Sequence, residues 1–166
     1  MVFRRRRQYR PPSTKNVVQN SNFDIVAGTQ TDENLVTVPA THSGGTNEVR
    51  MGARIKAVWL ELYMFSGGIA SARNISFAAL YFSPGGIAGS PVLSTLGSSN
   101  LRHFVFFFTR GIPGTQVSGS PLVWRGWIRI PKKFQKYAEG DVLRLVLRND
   151  VDTGSYCFTA IYKWST

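Results

Sequence analysis

Residues 142–148 read Val-Leu-Arg-Leu-Val-Leu-Arg, with Leu143, Leu145 and Leu147 at every second position. An apolar residue at alternate positions lines one face of an extended chain, whereas a helix scatters the same residues around its axis. Leu143, Leu145 and Leu147 are therefore expected to face a core, with Arg144 and Arg148 facing out alongside Val142 and Val146. Seven other segments carry a strand-like pattern: 22–28, 34–40, 54–64, 74–82, 101–109, 122–130 and 155–164. Segment 54–64 is the longest, with Val58, Leu60, Leu62 and Met64 on one face and Ile55, Ala57, Trp59, Glu61 and Tyr63 on the other. Segment 101–109 places Phe104, Phe106 and Phe108 opposite Val105 and Phe107, so both of its sides are expected to be covered. Segment 155–164 closes the chain with Tyr156, Phe158, Ala160, Tyr162 and Trp164 on one face.

Turn-forming clusters separate these segments, among them Ser66-Gly67-Gly68 and Ser83-Pro84-Gly85-Gly86. Residues 131–140 are the one candidate for a short helix, with proline at its first position and glycine at its end. Eight strands with almost no helix and no internal repeat predict an all-β domain, an antiparallel sandwich or barrel. A jelly roll suits the strand count and long loops, and a Greek-key barrel reads much the same.

The first fifteen residues are of another kind. They hold Arg4, Arg5, Arg6, Arg7, Arg10 and Lys15, no acidic residue and no apolar period. Like charges this dense repel one another, so the segment is expected to be disordered alone and ordered against a polyanion. Residues 1–20 are accordingly read as a basic arm and 21–166 as the β domain. The chain carries +11 overall, of which the arm supplies six charges and the domain the rest. A basic excess divided in this way points to nucleic acid as partner before it points to a membrane. The same arginines also suit a nuclear-import signal. Pro11 and Pro12 follow them where a secretory signal needs an apolar run, and no stretch approaches the ~18 apolar residues of a membrane span.

Catalytic parts are scarce. No metalloprotease, phosphate-loop or nucleophile-elbow motif is present, and no enzyme activity or cofactor is expected. His42 falls in a polar loop, and His103 in the phenylalanine-rich segment reads as structural. Asp150, Asp152 and Gly154 begin a calcium-loop pattern whose remaining ligands are missing, so no metal is expected. Cys157, the only cysteine, excludes an internal disulfide and reads as a small buried apolar residue.

Two basic features of the domain stand out. Arg125, Trp127 and Arg129 share one strand face, and such a row can contact phosphates and stack on bases, or form a subunit contact. Lys132, Lys133 and Lys136 extend the charge, or form a solvated loop.

Taken in order, an arginine-rich arm, a proline hinge and one eight-stranded β domain resemble the jelly-roll capsid proteins of small icosahedral viruses. The likeness is greatest to circular Rep-encoding single-stranded DNA viruses of circovirus-like kind, and plant satellite viruses with RNA genomes share the plan. Within it, residues 49–62 (Val-Arg-Met-Gly-Ala-Arg-Ile-Lys-Ala-Val-Trp-Leu-Glu-Leu) look like the D-strand region of such coats. The resemblance implies strands B to I in two sheets, BIDG and CHEF. Loops 65–73, 110–121 and 149–154 would gather with the B–C turn at one end. It further implies a homo-oligomeric T=1 shell of sixty copies in the virion, with the arm on a single-stranded genome, DNA rather than RNA. The rival is a cellular basic-tailed β-barrel that binds nucleic acid as a monomer.

Overall fold

The computed structural model describes residues 13–25, 29–66, 74–85, 103–112, 122–149 and 154–166. Eight strands make up almost all of its regular structure: β1 (Thr14–Ile25), β2 (Gln30–Thr37), β3 (Arg54–Ser66), β4 (Asn74–Ser83), β5 (Phe104–Ile112), β6 (Leu122–Arg129), β7 (Val142–Asn149) and β8 (Gly154–Ser165). They form two four-stranded sheets in the orders β1-β8-β3-β6 and β2-β7-β4-β5, with every pairing antiparallel. Each connection except β4–β5 passes from one sheet to the other. Lettered B to I, these orders are BIDG and CHEF: the fold is an eight-stranded jelly-roll sandwich.

Alternation accounts for the core. Val58, Leu60 and Leu62 of β3 and Tyr156, Phe158, Ala160 and Tyr162 of β8 turn inward from the first sheet. Leu80 of β4 and Leu143, Leu145 and Leu147 of β7 meet them from the second. Each such aliphatic side chain contributes roughly 1.5–3 kcal/mol on burial. The outer side of the second sheet is less open than expected. Val146 is fully buried, as is Ala79 opposite it in register, while Arg144 and Arg148 on either side are half-buried. A short side chain in a central strand, flanked by long ones, is shielded on the face that the pattern assigns to solvent.

Of four register shifts, three re-aim described side chains. In β3 the register with β8 shifts between Ile55 and Val58, which turns Ile55 into the core and leaves Lys56 exposed. Strict alternation would have placed Lys56 on the inner side with Val58. A shift between Asn34 and Val36 buries both Leu35 and Val36. Another beside Tyr81 lets the consecutive residues Val105 and Phe106 both pack on the core.

Residues 131–140 form one 3-10 turn, Lys132–Phe134, and not the longer helix expected. Their backbone groups pair instead with the chain leading into β3. Tyr137 N–H donates to the Ala53 carbonyl (3.0 Å), Gly52 N–H to the Tyr137 carbonyl (2.8 Å) and Ile55 N–H to the Gln135 carbonyl (2.9 Å). Phe134 and Tyr137 close that end of the core against Phe82, at ring separations of 4.9 and 5.6 Å. Asp141 locks the segment, its carboxylate accepting from Gly85 N–H (2.8 Å) and Ala138 N–H (2.7 Å). At the opposite end of the sandwich Tyr156 donates to Glu33 (2.6 Å), tying the two sheets together; burial and this bond push its phenol well above the usual range.

The first strand starts earlier than the sequence suggests. β1 begins at Thr14, so residues 14–20, read as arm, are sheet. Val18 is in the core and Asn16 is buried at its edge. Asn16 Nδ2 donates to the carbonyls of Thr46 (3.0 Å) and Glu48 (2.9 Å), and Oδ1 accepts from Trp164 Nε1 (3.0 Å). One buried amide thereby joins β1, β8 and the loop before β3.

Candidate nucleic-acid interface

The outer face of the first sheet carries six of the described basic residues: Lys15, Arg54, Lys56, Arg125, Arg129 and Lys163. It is built in rows fixed by register. Val17, Ile161, Trp59 and Trp127 lie side by side across β1, β8, β3 and β6. Gln19, Thr159, Glu61 and Arg125 form the next row toward one end. Toward the other end Lys15 faces Lys163, and Arg129 faces Ala57.

Of the sequence-predicted residues, Arg125, Trp127 and Arg129 do share this face of β6, and all three are exposed. Their surroundings differ. Arg125 is tied down: its guanidinium lies 3.2 Å from the Glu61 carboxylate and donates to the Tyr63 hydroxyl at 2.8 Å. Tyr63 in turn donates to Glu61 at 2.5 Å, and that bond pushes its phenol above the usual range. Trp127 is 64% exposed and stands edge-to-face on Trp59, with ring centroids 5.7 Å apart. One indole therefore braces the other and leaves it open to solvent.

Lys15, expected in a disordered arm, is an exposed residue of β1 on this same face. Arg4, Arg5, Arg6, Arg7 and Arg10 lie outside the described residues, as do Asp150 and Asp152. Lys132, Lys133 and Lys136 are exposed around the 3-10 turn; Lys133 Nζ sits 4.5 Å from the centroid of the Phe134 ring. His42 lies 6.2 Å from Trp164 between ring centroids, in the loop beside β1. Cys157 is half-exposed on the outer face beside Tyr63, not buried, because Tyr156 and Phe158 take the inward positions of β8.

Three cations were missed from sequence. Lys163 was legible, since it separates the inward Tyr162 and Trp164. Arg54 and Lys56 depend on the bulge at the start of β3, which no periodicity reveals. Among the described side chains of this face Glu61 is the one carboxylate, and it is committed to Arg125 and Tyr63. At the outer edge of β1, Glu48 is likewise occupied: it accepts from Ser43 Oγ (2.8 Å) and from the N–H groups of Ser43, Gly44 and Gly45. The Ser43 bonds above all hold its carboxyl below the usual range. Lys15, Arg54, Lys56, Arg129 and Lys163 thus present charge that no acid among the described side chains neutralises. Such a surface attracts a polyanion and suits phosphates.

No family model and no curated protein matches the chain. A solved structure of Desmodium yellow mottle tymovirus is similar at 14% identity and a TM-score of 0.39, over 95% of this chain and 89% of that chain. So weak a likeness carries no argument. The class is defined by the strand orders: a single jelly roll with a cationic outer face on one sheet.

Proposed function

We propose that the chain is the structural subunit of a small icosahedral virus shell, of T=1 plan with sixty copies, that packages a single-stranded genome. Continuity of charge carries the reading. The arginine-rich arm joins the jelly roll at Thr14, beside Trp164, at the end of the outer face where Lys15, Arg54, Lys56, Arg129 and Lys163 gather. Arm and face together offer one polyanion with a basic track that starts in the arm and continues over the sheet.

In a shell with this face inward, each arm neutralises phosphates and releases their counterions, an attraction independent of sequence and weakened by salt. Sixty arms of five arginines supply on the order of 300 positive charges against the genome. The role is structural, with the virion as its location and the host nucleus as a site of assembly if the arginines also direct import. A single-stranded DNA genome of circovirus-like kind is the specific form proposed. Sedimentation velocity tests the assembly: the purified chain is expected to run as one species about sixty times the 18.5 kDa subunit mass. A monomer at every salt and pH would leave a basic-tailed nucleic-acid-binding module in its place.

A further inference from the structure

A shallow groove opens on the outer face where the arm ends. Ser13, the first described residue, lines it together with Arg54, Lys56, Trp127 and Lys163. Three cations from two strands therefore surround one exposed indole. The β3 bulge puts Lys56 here, and the Trp59 contact fixes the angle of Trp127. Among the described residues none of the three cations is paired with a carboxylate.

We propose that this groove is a nucleotide subsite for single-stranded nucleic acid. One unpaired base stacks on the free face of Trp127, and the phosphates flanking it lie against Arg54, Lys56 and Lys163. The chemistry favours a single strand, because the bases of a duplex are already stacked and present only edges and phosphates. Arg125 takes no part, since Glu61 and Tyr63 occupy it. The proposal rests on the nucleic-acid reading of this face but not on shell assembly.

The test uses the full chain, kept at high salt and diluted into low salt with a short fluorescein-labelled oligothymidylate, with anisotropy as readout. Trp127→Ala is expected to weaken binding roughly 5- to 150-fold, the range for loss of one base–aromatic stack, with an unchanged salt slope. Trp127→Tyr should restore most of the loss. Lys163→Gln and Lys56→Gln should each reduce the slope of log affinity against log salt by about 0.7. Those two variants carry the test even where Trp127→Ala folds poorly. A duplex of the same length should bind Trp127→Ala and the native chain alike. Native affinity and slope in all these variants would overturn the subsite while leaving packaging by the arm intact. No binding of any nucleic acid by the native chain would sink both readings together.

Discussion

A full-length variant with Arg4, Arg5, Arg6, Arg7 and Arg10 replaced by serine is expected to lose about half of the salt sensitivity of nucleic-acid binding. On single strands each phosphate contact contributes about 0.7 to the slope of log affinity against log salt, so five lost charges remove about 3.5 from it. Over a fourfold rise in salt, the native chain should then lose roughly 100-fold more affinity than the variant. The substituted positions all precede β1, so the thermal transition of the domain should not move. Anisotropy titrations across a salt series measure the slope. A variant with the native slope would show that the arm does not touch phosphate, and the packaging mechanism would fall with it. Residual binding by the variant belongs to the outer face of the first sheet, where the five unneutralised cations remain.

Asn16→Leu should cost about 3 kcal/mol of stability. The change leaves the buried Trp164 Nε1–H without an acceptor and the carbonyls of Thr46 and Glu48 without the amide that now serves them. Each buried group stranded in this way costs roughly 1–3 kcal/mol, and loop carbonyls can recover water, which sets the total near the lower end of the sum. For a domain of this size the expected fall in Tm is about 10 °C. Asn16→Asp should be comparably damaging, because a carboxylate cannot donate to the two carbonyls. Thermal and urea unfolding of both variants check this. A leucine variant as stable as the native chain would mean that water serves all three groups and that β1 is not held by this amide. Because Asn16 anchors the strand from which the arm departs, weakening it also loosens the origin of the basic track.

Residues 142–148 and 155–164 show what kind of information periodicity carries. Where a strand runs unbroken across one buried face, as Leu143, Leu145 and Leu147 do, pattern and structure coincide. Where a register shift intervenes the pattern misleads, and Ile55 and Lys56 exchange the sides that alternation gives them. A bulge is a tertiary decision, made by the partner strand. The start of β1 was hidden for another reason: Lys15, Asn16 and Gln19 read as polar arm, yet Asn16 earns its burial through partners more than twenty residues away. Residues 131–140 carry helix-boundary signals, but Phe134 and Tyr137 gain more by closing the core while their backbone pairs with the approach to β3. The Arg125–Trp127–Arg129 row was legible because all three share a parity on one strand. Its division of labour was not, since Glu61 and Tyr63 come from β3 and single out Arg125. The groove around Trp127 draws on β3, β6 and β8 together, and only the sheet order brings them side by side.

Electron microscopy of the purified full-length protein, with absorbance at 260 and 280 nm read on the same sample, tests the central claim most directly. Uniform spherical particles whose averaged images have icosahedral symmetry with sixty subunits, and whose absorbance is dominated by nucleic acid, are the predicted result. Dispersed single domains under every salt and pH condition, or closed particles free of nucleic acid that never take it up, would contradict it.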